Sequence, residues 1–348
     1  MARAFSRRVR ALPWLAGLVL AAPLALAACS GDPYPQSTLH PVSGVGEAID
    51  ALYRNIFWWA VGVFVVVQTA LVYTLIRFRA RPGGPEARQI HGNTLVEITW
   101  TLAPAAIIIA IAVPTIRTIF DVKGDGPPDA LQVEVIGHQW WWEYRYPALG
   151  ITTANELHLP QGRPVVLAIT SADVIHSFWA PKLHGKRDAM PGRVTHLSFT
   201  PDSIDTYLGQ CAEFCGASHA NMRLRVVVQA PADFDAWAAR QAEVAAVDSA
   251  QLLVLAGEAA FRKIRDPGAH SCIVCHTMAG VSGGVAGPNL SHVGSRSTLA
   301  SGILPNDSAG LARWLRDPLG EKPGSLMPRI DLTDDEIAAL VAYLGSRK

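Results

Sequence analysis

Cys211–Met222 reads CAEFCGASHANM, placing two cysteines, a histidine and a methionine within twelve residues. Such a cluster fits a disulfide, a zinc site or a softer metal. The choice between them depends on the compartment and on what the chain's other cysteines do, five being present in all.

The compartment is read from the N-terminal third. MARAFSRRVR carries four arginines and is followed by ALPWLAGLVLAAPLALAA, an apolar stretch that ends in small residues before Cys29. This is the layout of a secretory signal. Leu26-Ala27-Ala28-Cys29 is similar to a bacterial lipobox, in which Cys29 is lipidated and becomes the mature N-terminus. The alternative is a third membrane helix with an incidental cysteine; the shortness of the run and its helix-breaking residues favour the signal. Ile56–Ile76 and Ile98–Ile116 are uncharged apolar runs long enough to cross a bilayer core, which needs about 20 residues. Between them lie Arg77, Arg79, Arg81 and Arg88 against Glu86 alone, so the positive-inside rule makes this loop cytoplasmic. Trp58, Trp59 and Trp100 sit where an aromatic belt belongs. Everything after about residue 120 is therefore expected outside the cytoplasm. Removing the signal leaves a slightly acidic chain, and nothing in its charge points to nucleic acid.

Beyond the membrane segments, LQVEVI (Leu131–Ile136), PVVLAIT (Pro164–Thr170) and RLRVVV (Arg223–Val228) read as short strands separated by turns such as LPQGRP. About a hundred residues of this kind predict an antiparallel sandwich. Ala232–Gln251 is rich in alanine, glutamine and charge, without glycine or proline, and predicts a helical spacer reaching up to about 30 Å. From Leu252 onward the chain reads as helical at both ends with a Gly/Pro-rich region between. No internal repeat is visible.

Cys272-Ile273-Val274-Cys275-His276 is a CxxCH, the attachment pattern of c-type heme. Two thiols at this spacing can form thioethers to the porphyrin vinyls, and the adjacent imidazole then lies under the iron. A redox CxxC before a chance histidine is the competing reading. Met327 offers a second axial ligand, whereas Met278 is too close in sequence to reach the opposite heme face and is expected to pack. The region resembles class I cytochromes c over residues 252–348, with Gly257 and Phe261 on the first helix, Gly287-Pro288-Asn289-Leu290 after the heme, and Leu340 and Tyr343 on the last helix. The resemblance implies the Pro288 carbonyl as partner of His276. His270 and His292 are expected to be ordinary surface residues.

With Cys29, Cys272 and Cys275 assigned, Cys211 and Cys215 remain as a pair in an oxidising compartment, where a disulfide is the default. Cys215, His219 and Met222 on one loop, with His176 on a distant strand, instead suit copper; methionine has no role at zinc. Adding Cys211 lets two thiolates bridge two coppers, each capped by one histidine, with Met222 completing one and the Glu213 carbonyl the other. Dicopper, zinc and thiol chemistry all stay open on ligand logic alone.

CAEFCGASHANM with His176 upstream resembles the dinuclear CuA site of cytochrome c oxidase subunit II. The likeness extends through both membrane runs, GHQWWWEY (Gly137–Tyr144) and Asp188–Arg193, over about residues 45–230. With the appended cytochrome, the chain resembles subunit II of a caa3-type oxidase. The implied fold class is a multidomain membrane protein: a two-helix transmembrane hairpin, an all-β cupredoxin-like sandwich and an all-α class I cytochrome c domain. The expected divisions are a lipoprotein-type signal at 1–28, a periplasmic segment at 29–54, the hairpin at 55–120, the CuA domain at 121–230, a helical connector at 231–251 and the cytochrome domain at 252–348. The resemblance further implies Trp140 as the residue through which electrons reach CuA, a magnesium ion held by Glu213 at the boundary with subunit I, and Glu97 near the mouth of a proton channel. For Trp140, plain packing is the alternative; for the Glu213 side chain, a solvated loop carboxylate; for Glu97, an interfacial residue where the apolar run starts. His138 is expected to be structural.

The expected function is therefore that of the electron-accepting subunit of a terminal oxidase in a bacterial inner membrane, its CuA and heme domains on the periplasmic side. Electrons pass from an upstream donor, a bc complex or soluble cytochrome c, to heme c, to CuA and on to subunit I. There oxygen is reduced to water with proton translocation; subunit III is a further expected partner. Two rivals compete. A membrane-anchored copper chaperone or thiol reductase would need neither His219, Met222 nor heme. A nitrous oxide reductase needs many more clustered histidines than the eleven scattered here. A quinol-using relative would lack the copper ligands.

Overall fold

The computed structural model describes residues 34–80, 82–84, 89, 91–123, 126–244, 251–264 and 271–348. The signal and Cys29 lie outside the described residues, as does His270.

Among the described residues, two long helices come first. Helix α1 (Gly44–Arg77) is 34 residues long, or about 51 Å at 1.5 Å per residue, and therefore extends well beyond a bilayer core. Its N-terminal turns lie ahead of the apolar run and carry Glu47, Asp50 and Arg54, the last two paired at 2.6 Å. Helix α2 (Thr94–Asp121) passes through Pro104 and Pro114 without a break, as membrane helices allow. The most apolar window of each helix has no buried residue and presents its side chains outward.

The start of α1 is fastened to the following domain. Ser43 caps the helix by accepting from Gly46 N–H, while its hydroxyl donates to the Leu183 carbonyl. Val42 N–H donates to Lys182 O at 2.9 Å, and Asp202 N–H donates to Val42 O at 3.1 Å. These bonds tie the start of α1 to the sandwich.

The sandwich contains ten strands: β1 (Leu131–His138), β2 (Trp141–Tyr146), β3 (Ile151–Ala154), β4 (Glu156–Pro160), β5 (Val165–Ser171), β6 (His176–Trp179), β7 (Arg187–Ala189), β8 (Thr195–Phe199), β9 (Asp205–Cys211) and β10 (Arg223–Gln229). One sheet runs β3-β2-β1-β5-β8 and the other β4-β10-β9-β6-β7. The sequence pattern predicts an antiparallel sandwich, but β1 pairs with β5, and β4 with β10, in parallel. The chain crosses between sheets after β3 and again after β4, and a crossing strand rejoins its sheet in whichever direction it arrives. The alternating apolar residues of the strands meet between the sheets around Trp142, Tyr144, Leu157, Leu167 and Phe178, all fully buried. Tyr146 ties the sheets together, its hydroxyl donating to His158 O and accepting from His158 N–H.

His184 is sealed in this core between Phe178 and Phe199. Burial pulls its imidazole down to about 4, against the bond from its ring to the Gly185 carbonyl. The ring is thus held neutral.

Helix α3 (Pro231–Ala242) corrects the spacer reading. Phe234 and Trp237 are buried in the sandwich core, with Trp237 stacked 4.3 Å from the His158 ring. Burial of each aromatic stabilises by about 1.5–3 kcal/mol, enough to bind the first half of the segment to the sandwich. Its alanine-rich composition concealed two aromatics at helical spacing.

The last domain has its own core. Helix α4 (Leu252–Arg262) packs on α8 (Asp334–Ser346) through Phe261 and Tyr343, ring centroids 5.8 Å apart. Between them come α5 (Cys272–Cys275), the short hairpin β11 (Thr277–Met278)/β12 (Ser282–Gly283), a second hairpin β13 (Thr298–Leu299)/β14 (Leu304–Pro305), α6 (Ser308–Arg316) and α7 (Pro318–Glu321). Met278 is fully buried as a packing residue. His292 is not a surface residue: it is 7% exposed and bonds to the Lys348 carbonyl at 3.0 Å. The loop after Leu290 tucks under the C-terminus, a long-range contact that local sequence does not signal.

Candidate metal centre and the cavity facing it

The end of β9 delivers Cys211, the loop beyond it carries Cys215, His219 and Met222, and β6 supplies His176. Loop and strands converge because β9 pairs with both β6 and β10, so its Cys211 end lies between the strand that starts at His176 and the strand that follows Met222. The Cys211 and Cys215 sulfurs are 3.8 Å apart, nearly twice a disulfide bond length. His176 Nδ1 lies 3.9 Å from Cys211 Sγ, His219 Nδ1 3.5 Å from Cys215 Sγ, and Met222 Sδ 3.9 Å from Cys215 Sγ. The Glu213 carbonyl is 3.2 Å from Cys211 Sγ. His176, Cys211 and Cys215 together have the spacing of a metal cluster. Donors that share a metal at bond lengths of about 2.0–2.3 Å stand roughly 3.5 Å apart, so the set fits one.

Its chemistry is equally selective. Met222 is fully buried and both cysteines are 4% exposed, giving a dry pocket of soft donors. Thiolate and thioether together favour copper over harder ions. A hydrogen bond from Cys215 holds the Cys211 thiol well below its usual range, against the effect of burial, and the Cys211 thiolate together with burial pushes Cys215 upward.

Three residues absent from the sequence-based site hold these donors. Asp173 Oδ1 lies 2.8 Å from His176 Nε2, leaving Nδ1 to face Cys211. Burial works to raise the Asp173 carboxyl, but bonds from His176, Gln139 N–H and Val174 N–H outweigh it and keep the group below its usual range. Burial likewise lowers His176, but Asp173 and Cys211 outweigh it and the ring ends above its ordinary value. Gly137 gives His176 its room, since a Cβ there would come within 2.7 Å of the ring. Gln139 Nε2 donates to the Cys215 carbonyl at 2.8 Å. Asp173 sits three residues before His176, a spacing visible in sequence; the contacts of Gly137 and Gln139 arise only from the β1–β6 fold.

Trp140 is not a surface aromatic. It is 8% exposed, and its Nε1 donates to the Cys215 carbonyl at 3.0 Å. The same residue borders a 340 Å³ cavity lined also by Cys272, Cys275, His276 and Met327 of the last domain. A space of this size matches small cofactor sites. His276 Nδ1 bonds to the Pro288 carbonyl at 2.8 Å, which turns Nε2 toward the cavity. Burial lowers this imidazole, partly offset by that bond. Gly287 packs against the ring, where a Cβ would lie within 2.6 Å. Two thiols, a fixed imidazole and a thioether around an apolar cavity fit a covalently attached heme.

The remaining predicted residues lie elsewhere. The Glu213 side chain is 45% exposed, with Lys186 Nζ at 3.9 Å. Glu97 accepts from Asn93 N–H at 3.1 Å at the start of α2. His138 Nε2 lies 2.9 Å from Glu143, and its ring stacks on Trp141 at 4.2 Å.

Comparison with known proteins covers nearly all of these elements. The family model described as cytochrome c oxidase subunit II, transmembrane domain, matches residues 39–118, and that of its periplasmic domain matches residues 149–230. The cytochrome c model matches residues 255–348. Cytochrome c oxidase subunit 2 of Alkalihalophilus pseudofirmus is 36% identical over 295 residues, covering 82% of this chain and 83% of that protein. The subunit 2 of Bacillus subtilis is 32% identical over 361 residues, covering 96% and 98%. Among solved structures, the periplasmic domain of subunit II of cytochrome oxidase of Bradyrhizobium japonicum matches at 30% identity and TM-score 0.32, covering 33% of this chain and 95% of that one.

Proposed function

The chain belongs to the cytochrome c oxidase subunit II family, extended by a C-terminal cytochrome c domain, and from that premise we propose that it carries electrons from its own heme domain to a dinuclear copper centre and on to subunit I of a heme-copper oxidase. In this reading His176, Cys211, Cys215, His219, Met222 and the Glu213 carbonyl hold the copper pair. Cys272 and Cys275 would attach heme c, with His276 and Met327 as the residues that would hold its iron. When bound, both groups would supply one-electron redox chemistry. Oxygen reduction and proton translocation belong to subunit I.

The observation that carries the reading is the position of Trp140. One side chain lines the cavity that holds the CxxCH residues and donates a hydrogen bond to the backbone of a metal-site cysteine. The residues around it are arranged for transfer without rearrangement. Asp173 and Gly137 fix His176, the Pro288 carbonyl fixes His276, and burial of Met222 and both cysteines excludes water. A copper chaperone must release its metal and has no use for such rigidity, nor for an attached cytochrome.

The remaining roles belong to the same proposal. The copper and heme domains face the periplasm, Cys29 carries lipid, and a bc complex or soluble cytochrome c feeds the heme. Subunit III joins the complex, Glu213 contributes to a magnesium site against subunit I, and Glu97 stands near a proton-channel mouth. Purification from the native membrane tests the function. An integral partner should copurify, and oxygen uptake should depend on reduction of this chain's heme; a chain isolated alone with reversible dithiol activity and no oxygen uptake would sink it.

A further inference from the structure

Glu156, at the start of β4, is a copper-domain carboxylate that is only 3% exposed. Every hydrogen bond described for it comes from the heme domain. Ser297 N–H and Thr298 N–H donate to it at 2.9 and 3.0 Å, and the Ser297 and Thr298 hydroxyls at 2.6 and 3.1 Å. Arg225, beside Glu156 in the β4–β10 register, donates to the Thr298 hydroxyl at 2.7 Å. A second anchor stands at Trp140. The Lys322 ammonium and the Ser301 hydroxyl, 4% and 2% exposed, both donate to the Trp140 carbonyl. Lys322 also donates to Ser301 at 3.0 Å.

A buried carboxylate and a buried ammonium are costly unless their partners are in place. Here the partners of each belong to the other domain, apart from Ser301. We infer that these contacts form a latch: Glu156 and Lys322 are positioning residues that hold the heme domain in one docked pose over Trp140, so that electron transfer within the chain needs no search by a tethered domain. A consequence follows for an external donor protein. With Trp140 covered, such a donor must deliver its electron to the heme domain, because the direct route to the copper site is closed.

The inference rests on the proposed electron relay only for its purpose; the latch itself can be tested without it. In the full chain loaded with heme and copper, hydrogen exchange at the Ser297 and Thr298 amides should be strongly slowed. Glu156→Ala should release it by about ten-fold or more, the loss of a charge-assisted acceptor, while α8 amides stay protected. E156Q, which keeps one acceptor oxygen, should fall between. In the same samples, photoreduction of the heme domain followed optically should show one electron passing to the oxidised copper site, with no bond made or broken. The wild-type rate should not depend on viscosity or salt; Glu156→Ala, alone or with Lys322→Met, should slow it several-fold and make it viscosity-dependent, with both midpoint potentials unchanged for Glu156→Ala alone. Unchanged amide protection in Glu156→Ala overturns the latch whatever the relay does. Viscosity-dependent transfer in the wild type overturns the single docked pose. Released amides with an unaltered transfer rate leave the contact in place but overturn its positioning role.

Discussion

The two redox sites of this chain are built by opposite strategies. At the copper site the protein has already brought its donors together: five side chains and a carbonyl approach one another to between 3.2 and 3.9 Å, held by a strand ladder and the Asp173 bond. At the heme site Cys272, Cys275, His276 and Met327 stand around a cavity of 340 Å³ instead of approaching one another. A small metal centre can be preorganised by backbone geometry alone. A porphyrin filling such a cavity would itself add to the domain's apolar packing.

The sharpest way to break this contrast is to prevent heme attachment with Cys272→Ala and Cys275→Ala. Leaving 340 Å³ empty costs on the order of 8 kcal/mol at ~24 cal/mol per Å³, comparable with the stability of a whole domain. Residues 252–348 should lose cooperative melting in calorimetry while the sandwich keeps its own transition. Retention of both transitions would mean the cavity collapses easily. Copper removal, by contrast, should leave the sandwich folded and lower its melting temperature only through binding linkage.

A smaller effect concerns the sandwich core. The folded His184 sits at about 4 against 6.5 for a free imidazole, so between these values the unfolded chain binds the extra proton. Stability is therefore intact above pH 6.5 and is lost as pH falls toward 4, by up to about 3 kcal/mol. Urea titrations of His184→Leu should show a flatter pH dependence over this window; an unchanged slope would assign the acid sensitivity to other groups.

Preorganisation itself is probed by Asp173→Asn. Loss of the charged partner of His176 should weaken copper binding by about 10–100-fold without altering heme content, read by competition with a chelator. The smallest change is expected at the capping box of α8, where the Thr333 hydroxyl accepts from Glu336 N–H. Thr333→Ala should cost about 1 kcal/mol in the heme domain's transition alone.

Legibility in the sequence follows the same division between local and long-range physics. The membrane helices, the CxxCH and the metal loop are contiguous patterns whose spacing carries their chemistry. His176 was reachable because its chemistry singled it out as the missing donor. The parallel pairings β1–β5 and β4–β10 were not visible, since alternation reports which face of a strand is buried but not which neighbour it joins. The docking of α3 rested on Phe234 and Trp237, two aromatics outweighed by composition. His292 and the Glu156–Ser297 contact depend on residues 56 and 141 positions apart. Gly137 has no local signal at all; its role exists only because His176, on a strand of the other sheet, packs against it.

The central claim, a copper pair bridged by Cys211 and Cys215 and facing a heme on the same chain, is tested most directly by metal analysis joined to electron paramagnetic resonance of the oxidised protein. The account predicts two coppers and one heme iron per chain, with hyperfine structure from an unpaired electron shared equally by both coppers. One copper per chain, a spectrum from a single copper nucleus, or a Cys211–Cys215 disulfide in the protein as purified would contradict it.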